Sequence, residues 1–244
     1  MRRVTLAVAV VAAIAVVLTF ALVAPTPQDP AYHHFADRRT MLGIPNALNV
    51  LSNIGFLLVG ILGLVTMRGA IAKTFFAGML ATSIGSSIYH LAPSDTTLIV
   101  DRLPMTIAFA SFFLLLLDVR SVRALLAMCA VGVATIVWWL TIDDLRPYAI
   151  FQALPILTFV VTRFFARRRD TPLWFVTAGY IAAKYCETYD RQIFELLGGT
   201  VSGHTLKHIV AALATFAVWL WFYDDARTTA VAGTGSSPGR LMTT

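Results

Sequence analysis

Apolar residues fill eight long stretches of the chain, and polar residues are confined to the short segments between them. The stretches run from Val4 to Ala24, Ala47 to Met67, Ala72 to Leu91, Ile99 to Leu117, Val122 to Ile142, Pro147 to Phe165, Leu173 to Tyr189 and His204 to Phe222. Each approaches the ~20 residues that a helix needs to cross a hydrocarbon core. They are apolar all round, without the two-residue alternation of a transmembrane strand, so the pattern predicts helices. The expected fold is all-α, a polytopic transmembrane helical bundle. The seventh stretch is the least uniform, because Lys184, Glu187, Asp190 and Arg191 interrupt its end. The first follows Arg2 and Arg3 and could be a signal peptide, but its apolar run is longer than an ordinary signal core, which favours a retained helix. From Arg227 to Thr244 no apolar period survives, and this tail is expected to be disordered.

Composition removes the soluble alternative. The 244 residues are 58% hydrophobic and 13% charged, against roughly 25% charged in an ordinary soluble domain. A globule of mean hydropathy +0.75 would lack the polar surface to face water. The net charge of +6 could suggest nucleic acid, but the basic residues fall in short clusters between apolar runs, so no nucleic-acid partner is expected. They act instead as topology signals. Alternating the connections puts twelve Lys and Arg on one side and seven on the other, which places both termini in the cytoplasm. In a prokaryote the chain would sit in the inner membrane. Cys129 and Cys186 both lie in apolar stretches and offer neither a disulfide framework nor a Cys metal site.

Ionisable or metal-capable residues inside so apolar a bundle are expensive and therefore candidates for function. Ser86 and His90 stand four apart near the end of the third helix, Asp101 opens the fourth, and His204 and His208 stand four apart at the start of the eighth. The alternating topology puts all of these on the non-cytoplasmic side, although they played no part in drawing it. A spacing of four stacks two side chains on one helical face, so His204 and His208 can share an ion and His90 can complete a three-His set. Three imidazoles suit zinc, and a tetrahedral ion with three protein ligands keeps one position open, which is a catalytic layout. Zinc lowers the pKa of a bound water to roughly 7. Asp101 could take that water's proton, and Ser86 could donate to the oxyanion of an attacked carbonyl. A lone membrane histidine more often makes an interhelical hydrogen bond; it is the constellation of three His, an Asp and a Ser at one depth that favours a metal. Haem is disfavoured, since residues on one helical face cannot supply axial ligands to both sides of one ring.

Other polar residues carry less. His33 and His34 are expected to be solvated loop residues, and Asp143 and Asp144 fit either a cation site or a helix-ending loop closed by Pro147. Asn46, Asn49 and Asn53, with Ser52 beside them, mark a face of the second helix suited to interhelical hydrogen bonds. Lys184, Glu187, Asp190 and Arg191 suggest ion pairs, whereas Lys207 needs an acidic partner that the sequence does not identify.

The run Ser86-Ser-Ile-Tyr-His90, then Asp101, then His204-Thr-Leu-Lys-His208, resembles the alkaline ceramidase family, within the wider superfamily of membrane hydrolases that includes adiponectin-receptor-like proteins. The stretch Phe35 to Asn53, Asp144-Leu-Arg-Pro-Tyr148 and Gly198 to Gly203 extend the resemblance over about residues 28–223. It implies a seven-helix core (25–226) behind one extra N-terminal transmembrane segment (1–24), with the tail at 227–244. It further implies zinc on His90, His204 and His208, with Asp101 and Ser86 as the accompanying acid and hydroxyl. The implied reaction is hydrolysis of the N-acyl bond of ceramide, or a related lipid drawn from the bilayer, to a fatty acid and a sphingoid base. The family's acidic calcium-binding stretch is missing here: Asp37 remains, Asn46 stands where a later Glu would be, and calcium is not expected. Two other readings stay open. A receptor-like member would use the same zinc site for ligand binding. A transporter would instead place ionisable groups near the midplane along a path, whereas here they gather at one end.

Overall fold

The computed structural model describes residues 2–165 and 171–234. Among these the chain is all-α, with one isolated bridge between Met41 and Ile44 and no strand. The helices are α1 (Arg2–Leu22), α2 (Ala47–Leu51), α3 (Ile54–Thr66), α4 (Ala70–Leu91), α5 (Asp95–Leu116), α6 (Val122–Ile142), α7 (Arg146–Phe165), α8 (Thr171–Thr188), α9 (Asp190–Leu196) and α10 (Gly203–Thr234). Six spans are long and apolar enough to cross a membrane: α1 from Val4, α2 and α3 taken together, α4, α5, α6, and α10 as far as Tyr223. The other two expected spans, α7 and α8, are helical in the expected places. Outward residues such as Leu6, Leu58, Val65, Leu126 and Leu213 are exposed, as a surface solvated by lipid requires.

Three features escape the hydropathy pattern. The second span breaks at Ser52 and Asn53, where the Asn53 amide nitrogen donates to the carbonyls of Asn49 (2.9 Å) and Val50 (3.3 Å) and so competes with the helical ladder. A short helix, α9, and a 3-10 turn at Pro30–His33 lie in segments too short and polar to register as spans. Lastly, α10 runs on to Thr234, eight residues into the segment expected to be disordered; with no proline before Pro238, nothing in 227–234 forbids helix continuation. Residues 235–244 of that tail lie outside the described residues.

Glycines set the closest helix approaches. A Cβ on Gly85 of α4 would lie 2.2 Å from the Val100 carbonyl oxygen of α5, and one on Gly55 of α3 would lie 2.7 Å from the Ala212 Cβ of α10. Small residues of this kind let membrane helices pack backbone to backbone. Around the seams, Phe56, Phe75, Phe76, Met79, Phe112, Phe159 and Val218 form the main apolar core. α1 packs on α7 at the periphery, with 6% of its apolar window buried.

Candidate metal centre

Tight capping aligns the helix ends that carry the site. Between α4 and α5 only three residues intervene, and Ser94 closes the turn with a reciprocal cap: its hydroxyl accepts from the Thr97 N–H (3.2 Å) while its own N–H donates to Thr97 Oγ1 (3.1 Å). His90 thus ends α4 while Asp101 lies two turns into α5. At the other contributor, Ser202 Oγ accepts from the Thr205 N–H (3.1 Å) and Asp190 Oδ1 accepts from the His204 N–H (2.7 Å), satisfying donors that the first turn of α10 would otherwise leave free. The second oxygen of Asp190 holds the Ala36 N–H at 2.8 Å, tying the preceding loop to the same corner. Asn46, in the left-handed region at φ 48°, donates from its amide to the His90 carbonyl (2.8 Å). Asn49 accepts from Thr205 Oγ1 (2.8 Å) and, at 3.4 Å, from Ser202 Oγ. The interhelical role expected for these asparagines is what Asn46 and Asn49 perform.

Their joint effect is a triangle of imidazoles. His90, His204 and His208 are all buried, their ring centroids stand 4.9 Å apart in every pair, and their ligand nitrogens lie within 4.8 Å of one another. His90 Nε2 and His208 Nε2 are 3.3 Å apart. Metal–nitrogen bonds of about 2.0–2.1 Å in tetrahedral geometry hold two ligand nitrogens about 3.3–3.4 Å apart. A hydrogen bond between those two rings would pair the two Nε2 atoms, but it would leave His204 Nε2, like His90 Nδ1, buried without a partner. An ion among the three rings would supply the partner that His204 Nε2 lacks, so the donor set fits a metal.

The tautomer of His208 is set by a residue from the broken span. Ser52 Oγ donates to the Asn49 carbonyl (3.0 Å), so it accepts from His208 Nδ1 at 2.8 Å. With the proton on Nδ1, the Nε2 lone pair faces the other two rings, the arrangement metal-ligating histidines adopt. Phe35 covers the centre from the loop side, its ring 4.7 Å from both His90 and His204. Ser52 was visible in sequence only as a neighbour of the asparagines; for Phe35, in a loop without a period, there was no signal.

A cavity of about 390 Å³ opens beside the triangle. His208, Ser86 and Asp101 line it, together with Phe56, Leu98, Arg102, Phe109, Tyr148, Gln152, Tyr180, Glu187 and Lys207. Ser86 of α4 and Asp101 of α5 line the cavity from either side of the seam between those helices. All five site residues read from the sequence therefore meet at one end of the bundle. The missing acidic partner of Lys207 is Glu187, which also pairs with Lys184 at 2.8 Å and accepts from Tyr32 OH at 2.8 Å. Burial, and then the Glu187 charge, push the Tyr32 phenol well up, so it stays a donor.

The remaining polar candidates are structural. His33 stands between Tyr89 OH (3.0 Å) and Asp95 (3.2 Å), away from the triangle, and His34 closes the 3-10 turn. Its ties to Tyr89 and Asp95 set His33 apart from the solvated loop residue expected. Asp143 accepts from the Gln28 N–H (3.0 Å), and Asp144 accepts from the Thr26 N–H (3.2 Å) and pairs with Arg146 at 2.7 Å. The Arg146 hydrogen bonds hold the Asp144 carboxyl well below the usual range. Burial pushes Asp37 up, but the Arg39 hydrogen bonds, at 2.9 and 2.7 Å, outweigh it and keep that carboxyl low. Both Asp37 oxygens are thus engaged by a cation within the chain. Compared with known proteins, the chain matches no family model and no curated sequence.

Proposed function

We propose that the chain is a membrane amidase that holds zinc on His90, His204 and His208 and hydrolyses the N-acyl bond of ceramide or a related N-acyl lipid. The observation that carries this reading is the three-His triangle opening on an apolar cavity whose wall also supplies a carboxylate and a hydroxyl. When bound, the ion would act as a Lewis acid and activate water at neutral pH. The chain's own groups supply the rest. Asp101 takes the proton of the attacking water and returns it to the departing amine nitrogen. Ser86 Oγ donates to the carbonyl oxygen as negative charge gathers there. Ser52, by fixing His208, keeps the lone pair aimed at the ion. Phe56, Leu98 and Phe109 exclude water and receive the acyl chain. The orientation read from the basic clusters puts this chemistry at the non-cytoplasmic face, with the substrate entering from the bilayer.

The test is turnover of a panel of N-acyl lipids by the purified, zinc-loaded protein, with His204→Ala as control. Release of fatty acid by the wild type alone is expected. Equal release by both proteins, or ligand binding with no release from any panel member, would remove the amidase reading, and the latter would favour a receptor-like role.

A further inference from the structure

Arg102 is buried to 7% exposure in the wall of the cavity, yet no carboxylate pairs with it among the described residues. Its Nη2 donates to Gln28 Oε1 at 2.8 Å, and its Nη1 has no hydrogen-bond partner. Three rings surround it, with its Cζ 4.3 Å from the Trp139 centroid, 5.1 Å from Tyr148 and 5.8 Å from Tyr32. Aromatic faces steady a guanidinium, but they do not replace the counter-ion and hydrogen bonds that a buried charge requires. The other two cations at the cavity, Lys184 and Lys207, are both held by Glu187. Asp101, the adjacent residue on α5, is near enough for its charge to act on Arg102 but makes no ion pair with it. One guanidinium nitrogen therefore remains without a hydrogen-bond partner inside an otherwise fitted pocket.

We infer that Arg102 receives a carboxylate on the polar end of the lipid, so that the substrate class is N-acyl amino acids rather than neutral N-acyl amino alcohols. This rests on the amidase reading of the neighbouring centre and narrows its substrate from ceramide to a related N-acyl lipid that carries an acid. A single guanidinium with one unpaired nitrogen matches a monoanion, which it can grip with a charge-assisted hydrogen bond. A phosphate monoester, carrying nearly two charges, would need further donors, and both lysines are engaged. Asp101 and Arg102 are consecutive on α5, so their side chains diverge by about 100° around the helix. Both line the cavity, so in this proposal Asp101 would serve the amide and Arg102 the acid group on its amine side.

Binding is measured with zinc-loaded full-length protein in phosphatidylcholine nanodiscs, using N-dodecanoylglycine, N-dodecanoylethanolamine and dodecanoate as probes. Trp139, in contact with Arg102, contributes a fluorescence signal to the titration. The glycine conjugate is expected to bind about ten-fold or more tighter than the ethanolamide, in line with one charge-assisted hydrogen bond, and Arg102→Gln should bring the two to the same affinity. Equal affinities in the wild type would overturn the inference without any variant being needed. So would an Arg102→Gln loss for dodecanoate as large as that for the glycine conjugate, since it would assign the guanidinium to the acyl product. Because the readout is binding, a failure to see turnover would count against the amidase reading and leave this comparison intact.

Discussion

At the scale of single residues, the centre depends on which nitrogen of each ring is free. Ser52 accepts from His208 Nδ1, and Ser52→Ala removes that partner without touching a ligand. Loss of such a support costs about 10- to 100-fold in metal affinity, which a chelator competition on purified protein will show. Asp101→Asn should separate the two functions of the site: zinc retained, turnover reduced by about 10² to 10⁴. Ser86→Ala should likewise keep zinc and lose about 10² to 10³ in turnover. Wild-type turnover in Asp101→Asn would mean that the proton leaves by another group, and Glu187, at the same cavity, is the next carboxylate to test. That the three histidines, Ser86 and Asp101 gather at one end was legible because a spacing of four on a helix and burial in an apolar run are properties of the sequence itself. Ser52 and Phe35 depend on a helix break and a loop path, which the sequence does not encode as a period.

Among the elements, the α4–α5 pair decides whether the chemistry is aligned. Gly85 permits the contact that brings Ser86 to Asp101. Gly85→Ala puts a carbon against the Val100 carbonyl, and overpacking of this kind costs about 1–3 kcal/mol; a shift of ~1 Å between Ser86 and Asp101 would lower turnover on the order of 10²-fold. Thermal melts and initial rates on one preparation check both. The loops answer to pH. Asp37 and Asp144 have folded-state pKa values below that of an unfolded aspartate, about 3.9. Their stabilisation is therefore complete above that value and is lost as the pH falls through the lower folded-state values. The melting midpoint should drop as the pH is taken below about 4, and Asp144→Asn should flatten that drop; an unchanged slope in the variant would show that the Arg146 pair contributes nothing. Helix positions followed from hydropathy, including the weak seventh stretch that became α8. The pairing of Glu187 with Lys207 did not, because it joins residues 20 apart on different helices.

Over the whole molecule, an apolar bundle carries its buried polar chemistry at one end, beside a cavity large enough for part of a lipid and lined by both acyl-compatible and charged side chains. That arrangement follows from the cost of burying ionisable groups: they persist where partners or a ligand satisfy them, and at this end nearly every one has a partner within the chain. The exceptions are His90 Nδ1, His204 Nε2 and Arg102 Nη1; the proposed ion would complete His204 and the proposed carboxylate would complete Arg102. The all-α architecture was readable over the described residues, whereas the run of α10 through 227–234 was not, since low hydropathy alone does not distinguish a helix from a structureless tail. The most direct test of the account is the metal content of the purified protein. About one zinc per chain is expected, falling in His90→Ala, His204→Ala and His208→Ala alike; wild-type protein that binds no zinc with all three histidines intact would contradict it.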